Sequence, residues 1–300
     1  MVRNGRGRWW TAAMLAVMAG ATLGGCDLAG GPAANHADAG PDYEQSSKIR
    51  RYVAYAAAAD LERAKGEWQE REVAKATRDS SLFINAGSIE AAAADLKRVR
   101  AMAGSVGAID AAADRLIPAL DRLLARAQGL DSYFRMRGYL ADDLARVKRE
   151  DPLLVADFDA AIAAYRPFAA AVTKARDDAD AALLPRLKAE GRMAAWYDVR
   201  IGQEANALAA AIDSVAAAAD PARTARADAI VGRIEPMIAQ GRAARAAEAK
   251  KAGEDVLDNG ILGSAEAMIG AYRALRQGGD EDEYRDLRDS ARQITISNAG

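Results

Sequence analysis

Three groups of residues in this chain have types and spacings that could do chemistry. Asp142 and Asp143 are adjacent carboxylates, the kind of pair that supplies a general acid and a general base. The aromatics Tyr133, Phe134, Tyr139, Phe158, Tyr165, Phe168, Trp196 and Tyr197 recur on three successive segments, with Arg192 near the last pair, a set suited to a groove for a small molecule or glycan. The run DVLDNGILGSAE, from Asp255 to Glu266, places Asp first, Asn fifth, Gly sixth and Glu twelfth, as a calcium-binding loop does.

Each group also has a plainer reading. Neighbouring residues on a helix point about 100° apart, so Asp142 and Asp143 cannot aim at one substrate atom. Glycoside hydrolysis needs two carboxylates facing each other at about 5 to 9 Å. The pair therefore reads as structural, with one Asp accepting hydrogen bonds from an Arg or Tyr and the other solvated. In the calcium-like loop, Leu257 and Gly263 occupy the third and ninth positions, which leaves an Asn259-Gly260 turn with Ser264 capping the next helix as sufficient explanation. Aromatics at helical spacing are usually core. The candidate ligand groove narrows to Tyr133, Phe134, Tyr139, Arg192, Trp196 and Tyr197. No catalytic residue, metal site or cofactor is expected, since the sequence carries no phosphate-cradling glycine loop, serine elbow or His-Glu metal helix.

The chain has a single cysteine, Cys26. Ahead of it stand a basic head (Arg3, Arg6, Arg8), an uncharged run from Trp9 to Gly25, and Leu23-Gly24-Gly25 immediately before the thiol. A spanning helix needs about 20 apolar residues, and this run is shorter and Gly-rich toward its end, so cleavage is the better reading. Leu23-Gly24-Gly25-Cys26 resembles the lipobox of bacterial lipoproteins, which implies removal of residues 1–25 and a diacylglycerol on Cys26. Each buried methylene contributes about 0.8 kcal/mol, so two or more acyl chains anchor a protein stably. Asp27, next in line, resembles the signal that keeps a lipoprotein in the inner membrane of enterobacteria. The expected location is the cell envelope, lipid-anchored and facing the periplasm, with the inner membrane favoured and the outer membrane as the alternative. With Cys26 acylated, the rest of the chain has no thiol for a disulfide or a thiolate metal site.

Composition fixes the class of the remainder. Alanine fills 75 of 300 positions and proline only 8, which favours helix over long windows. The three arginines of the head leave 38 basic against 43 acidic residues, a mixed, mildly acidic surface that excludes nucleic acid as the natural partner. Residues 26–42, rich in Gly, Ala and Pro, read as a tether, and the sole histidine, His36, lies in it.

Helical periodicity spans 43–297. Ile49, Val53, Ala57, Leu61, Ala64 and Trp68 form one stripe, predicting a first helix to about Ala76. Ser88 is the expected cap of a second helix through Met102, and a third runs from about Ala108 to Arg149. Asp151-Pro152 and Asp220-Pro221 each offer a carboxylate cap followed by a proline in the first turn, so helices are expected to start at 152 and 221. Pro167, Pro185, Gly191 and Gly202 predict kinks or one break between those starts. Further helices are expected from 221 to about Lys251, at 264–277 and at 281–293. The architecture is all-α, an elongated antiparallel bundle of long helices with Ala-rich seams.

Two segments carry a family resemblance. Tyr133-Phe134-Arg135-Met136-Arg137-Gly138-Tyr139-Leu140-Ala141-Asp142-Asp143 resembles the central motif of the YiiG-like bacterial lipoproteins. Leu187-Lys188-Ala189-Glu190-Gly191-Arg192 with Trp196-Tyr197 is similar to a second family segment, and KIRRYVAY, Lys48 to Tyr55, to the opening helix. The resemblance covers roughly residues 45–220 and departs from the family at Gly138, where the pattern has a charged residue, and at Trp196-Tyr197-Asp198, where it has Tyr-His. It implies a helical lipoprotein domain of unknown function. A non-enzymatic protein that meets an envelope protein partner, and the membrane through Cys26, is the expectation; a periplasmic helical bundle that binds a small molecule or glycan is its alternative.

Overall fold

A computed structural model describes residues 41–255 and 260–299; the expected export signal, Cys26 and nearly all of the tether lie outside them. The fold is an all-α bundle, and no strand occurs among the described residues. Its elements are α1 (Pro41–Ala58), α2 (Leu61–Gln69), α3 (Ala86–Arg100), α4 (Gly107–Arg135), α5 (Tyr139–Asp142), α6 (Ala145–Ala189), α7 (Met193–Ala211), α8 (Pro221–Ala252), α9 (Ile261–Arg276) and α10 (Glu281–Ala299), with short 3-10 turns at Val73–Lys75 and Val215–Ala219.

Local chemistry explains most boundaries. The apolar stripe expected to form one helix to Ala76 is divided at Asp60, whose Oδ1 accepts a hydrogen bond from the Arg63 amide at 3.1 Å and so starts α2 afresh. Asn85 caps α3 in place of Ser88: its Oδ1 accepts from the Ser88 amide at 3.2 Å, and the Ser88 hydroxyl donates back to the Asn85 carbonyl at 2.9 Å. Asp220 caps α8 as expected, accepting from the amides of Ala222 and Arg223, with Pro221 in the first turn. The break between α6 and α7 falls at Gly191, in the left-handed region at φ +71°. Ser264 lies within the first turn of α9 rather than at its cap, because Gly260 turns the chain at φ +77° and Ile261 begins the helix.

The largest departure is at α4–α6. The expected single helix to Arg149 stops at Arg135, and the expected start at Pro152 is absent because α6 passes through Pro152, Pro167 and Pro185. Arg137, Asp143 and Leu144 take positive φ and reverse the chain around the four-residue α5. Asp151 does not cap anything; its carboxylate accepts from the Trp68 indole at 2.7 Å. Continuity through Pro152 follows from burial. Val147, Leu154, Phe158, Ala161 and Ile162 form one buried stripe. Two side chains such as Leu154 and Phe158 contribute about 1.5 to 3 kcal/mol each on burial, which offsets the roughly 3 kcal/mol cost of an interior proline.

Two hydrophobic cores result. The first gathers α1 to α6 around Tyr52, Leu96, Ile109, Leu120, Leu154 and Phe168. Buried alanines at 112, 113, 119, 127 and 161 let these axes approach closely. The second gathers α7 to α10 around Ile201, Leu208, Ile234, Met268, Tyr272 and Ile294. Helix α6 carries the chain from one core to the other, and α1 reaches across to α10. Among the described residues, no helix is long and apolar enough to cross a membrane.

Candidate functional site

The position of α1 is set by a buried ionic knot. Lys48, 1% exposed, donates from Nζ to the Gly104 carbonyl at 3.0 Å and to Asp110 Oδ2 at 3.3 Å. The Tyr52 hydroxyl, one turn on, donates to Asp110 Oδ1 at 2.7 Å, and the Val106 amide donates to Oδ2 at 3.0 Å. Burial alone would raise the Asp110 carboxyl, but the hydrogen bonds from Tyr52, Val106 and Lys48 together outweigh it and hold it below the ordinary carboxylate range. Burial and the bond to Asp110 push the Tyr52 hydroxyl far up, so it remains a donor. Tyr52 and Tyr55 then meet the Phe168 ring edge-on, at centroid distances of 5.6 and 5.7 Å.

With Lys48, Tyr52 and Tyr55 committed to the first core, the adjoining face of α1 (Ser46, Ile49, Arg50, Val53) looks into a cleft between the cores. Two cavities of about 510 and 500 Å³ adjoin there, with Val53, Arg176, Asn206 and Thr295 lining both. Volumes of this size suit small ligands. In the first, most charges are paired: Arg292 binds Asp60 at 2.9 Å, Arg166 binds Glu62 at 3.1 Å, Asp213 pairs with Arg223 outside the lining, and Arg288 donates to the Tyr284 hydroxyl at 3.1 Å.

The second cavity, bounded by α1, α6, α7 and the end of α10, is different. Ile49, Val53, Ala179, Ala182, Leu183 and Val199 make an apolar wall. Its charged residues are Arg50, Arg176, Arg186 and Asp180, three cations against one anion. Arg176 binds its neighbour Asp177 at 2.9 Å, whereas Arg50 and Arg186 are exposed and have no carboxylate partner among the described residues. Asp180 is half-buried, and its one hydrogen bond, from Gln203, is long at 3.5 Å. Burial pushes its carboxyl up, with the Asp177 charge adding to the effect and Arg176 opposing it. The polar floor is bonded within the protein: Asn206 donates to the Gly202 carbonyl at 2.7 Å, the Thr295 hydroxyl to the Ala291 carbonyl at 3.0 Å, and Asn298 to the Asp198 carbonyl at 3.0 Å. Gly202 lets Asn298 come close: a Cβ there would stand 2.4 Å from Asn298 Nδ2, so the exposed Asn298 side chain would have to shift.

The residues expected to line a ligand groove do not come together. Tyr133 and Phe134 end α4 and Tyr139 opens α5, all ahead of α6, whereas Arg192, Trp196 and Tyr197 follow its end; the 45 residues of α6 span roughly 65 Å at the helical rise. Tyr133 is 4% exposed, stacks beside Phe134 at 5.4 Å, and donates its hydroxyl to Asp142 at 2.7 Å. Arg192 is exposed with Glu190 at 3.6 Å. Trp196 meets Tyr197 edge-on at 5.0 Å, and the Tyr197 hydroxyl donates to Gln240 at 2.9 Å. Tyr197 lines a shallow cavity of about 370 Å³ with Met193 and Glu248, away from Tyr133.

The carboxylate pair diverges where the chain leaves α5, Asp142 ending the helix and Asp143 taking a left-handed backbone at φ +50°. Asp142 accepts from Tyr133 and from the Arg146 amide at 3.1 Å, while the largely exposed Asp143 binds Arg78 at 2.7 Å. In the calcium-like loop, residues 256–259 lie outside the described residues, and Glu266, its twelfth position, binds Arg242 at 2.7 Å. Among the described residues, no group of three His, Cys, Asp or Glu side chains is placed to hold a metal ion.

Sequence reading passed over the cleft residues. The signal available was the spacing of Arg176, Asp180, Leu183 and Arg186, at steps of four and three, which puts all four on one helical face. Nothing local told that α1 and α10 would close over that face.

Residues 56–277 match a family model described as a protein of unknown function (DUF3829). No curated protein and no solved structure matches the chain.

Proposed function

The chain belongs to the DUF3829 family of proteins of unknown function, and on that premise we propose that it is a lipid-anchored envelope lipoprotein of the YiiG-like kind that acts by binding rather than by catalysis. The observation that carries the anchor is the sole cysteine, Cys26, standing directly after Leu23-Gly24-Gly25 and a basic, then uncharged, leader. Lipid on Cys26 would hold the chain at a membrane with the helical body facing the periplasm. Asp27 favours the inner membrane.

Support for binding over catalysis comes from the carboxylates. Asp142 and Asp143 are turned to different partners, and Asp60, Asp110 and Glu204 are each held by cations. The partner is an envelope protein met by the helical body.

The test is intact mass and membrane fractionation of the expressed precursor beside a Cys26→Ser variant. The expected wild type loses residues 1–25, gains diacylglycerol mass and sediments with membranes, while the variant does none of these. Identical, uncleaved or soluble behaviour of the two forms would overturn the anchor and the envelope location with it. Density-gradient separation of the membranes then checks the reading of Asp27.

A further inference from the structure

We propose that the cavity between α1, α6 and α7 that Arg50 and Arg186 overlook is a binding site for a compact amphipathic anion: an apolar body the size of a fused aromatic pair or short acyl chain, carrying one carboxylate, sulfonate or phosphate. The inference rests on this cavity alone and stands or falls independently of the lipid anchor.

The cavity offers about 500 Å³, within the range of small-ligand sites and too small for a helix about 10 Å across. Its wall of Ile49, Val53, Ala179, Ala182 and Val199 would cover an apolar body, and Leu183, 37% exposed at its edge, would lose water on occupancy. Selectivity comes from which polar groups remain unused. The amides and hydroxyl of Asn206, Thr295 and Asn298 already have acceptors within the protein. Among the described residues the guanidinium groups of Arg50 and Arg186 have no such partner, and a guanidinium presents donors in a fork that matches a carboxylate or phosphate. Arg50 on α1 and Arg186 on α6 line the same cavity from different helices, so an anion between them would be gripped from two sides.

The balance of three arginines against Asp180 favours an anion over a cation. In the adjoining cavity, by contrast, Asp60 and Glu62 hold Arg292 and Arg166, Asp213 adds a third carboxylate, and Arg288 is taken up by the Tyr284 hydroxyl and ring, so four arginines face three acids rather than three facing one. The head group is therefore placed at the Arg50 and Arg186 side, with the apolar body directed toward Val53.

The test uses the full-length chain carrying Cys26→Ser, so that no attached acyl chain competes, titrated calorimetrically with naphthalene-1-sulfonate at low salt. The same titration with 1-naphthol and 1-naphthylmethylammonium gives neutral and cationic counterparts of the same body. Expected is saturable one-site binding of the sulfonate, at least tenfold tighter than the neutral compound, no binding of the cation, and displacement by octanoate. An Arg50→Gln, Arg186→Gln double variant should bind at least tenfold more weakly; both residues are exposed and have no carboxylate partner among the described residues, so the fold is not at stake. Ala182→Trp should fill the cavity and abolish binding. Asp180→Asn should tighten it. Absence of sulfonate binding, equal binding of the neutral compound, or an unchanged affinity in the arginine double variant would overturn the site.

Discussion

Asp60 and Arg292 stand 232 positions apart in the chain, yet their side chains meet at 2.9 Å where the two hydrophobic cores adjoin. Asp60 uses its two oxygens for different tasks. Oδ1 caps α2 through the Arg63 amide, and Oδ2 receives the α10 guanidinium. One residue thereby both breaks the first apolar stripe into two helices and ties α10 to that break.

Separating these tasks is a matter of two substitutions. Asp60→Asn keeps a capping oxygen but removes the charge, and is expected to cost less than about 1 kcal/mol, because Asp60 and Arg292 are both partly exposed. Asp60→Ala also loses the cap and is expected to cost about 1 to 2 kcal/mol. Burial would raise the Asp60 carboxyl, but bonds from Arg292 and Arg63 hold it below its ordinary value. Its contribution to stability is therefore full above the unfolded value near 3.8 and is lost as pH falls through the lower folded value. Urea unfolding of the three forms at neutral pH and at stepwise lower pH reads both effects, and the wild-type advantage over Asp60→Asn should shrink on acidification.

The Lys48–Asp110 pair calls for the opposite response to single and double replacement. Lys48→Met leaves the Asp110 charge buried without its cation, and loss of one partner of such a pair costs about 3 to 5 kcal/mol. Replacing both, as Lys48→Met with Asp110→Leu, removes the stranded charge and should recover much of that loss. Denaturant midpoints of the two singles and the double form a cycle; additive losses would mean that the two side chains do not act as a pair.

Much of the fold is legible because it depends on local chemistry. The Asp220-Pro221 cap, the Gly191 break and the alanine-rich helices follow from residues within a few positions of each feature. Asp151-Pro152 bears the same signal as Asp220-Pro221 and has the opposite outcome, since Trp68, 83 positions away, takes the Asp151 carboxylate while the stripe through Leu154 and Phe158 remains buried. Local chemistry cannot distinguish these cases; the packing partner does.

Gly138 is held to glycine by a neighbouring ring. A Cβ on Gly138 would lie 2.5 Å from Cδ2 of the Tyr133 ring, which is itself buried and bonded to Asp142. Gly138→Ala must therefore shift an aromatic ring rather than the tip of a flexible chain, and is expected to cost about 1 to 3 kcal/mol. Gly66→Ala, where open space surrounds the added carbon, provides the control within α2 and should be neutral or mildly stabilising. Thermal unfolding of the two variants side by side tests the assignment, and equal shifts would remove the ring contact as its basis.

The candidate site was less legible than the fold, for a reason visible in its members. Arg50, Asp180, Asn206 and Thr295 lie on α1, α6, α7 and α10, and only the approach of those four helices makes them neighbours. The aromatic motifs, conspicuous in sequence, went to opposite ends of α6 instead. Their rings are explained by contacts within each end, such as Tyr133 with Phe134 and Trp196 with Tyr197.

Acidity should regulate the cavity through Asp180. The groups facing it are Arg176, Asp177 and Arg186 on α6, Arg50 on α1, Gln203 and Asn206 on α7, and Thr295 and Asn298 on α10. Asp177 is exposed and bound to Arg176, whereas Asp180 is half-buried and burial pushes its carboxyl up. Its folded value lies above the unfolded 3.8, so the folded protein takes up a proton at a pH where the unfolded chain does not. Stability contributed at this position thus rises as pH falls through the folded value and levels off below 3.8, the reverse of Asp60. Protonation also removes the one negative charge from a cavity lined by three arginines. The affinity for naphthalene-1-sulfonate, which stays ionised, should therefore increase as pH falls through the folded value of Asp180 in the wild type, whereas Asp180→Asn should start tight and remain flat over the same interval. Calorimetric titrations at four or five pH values check this, and parallel profiles for the two proteins would assign the pH dependence to another group.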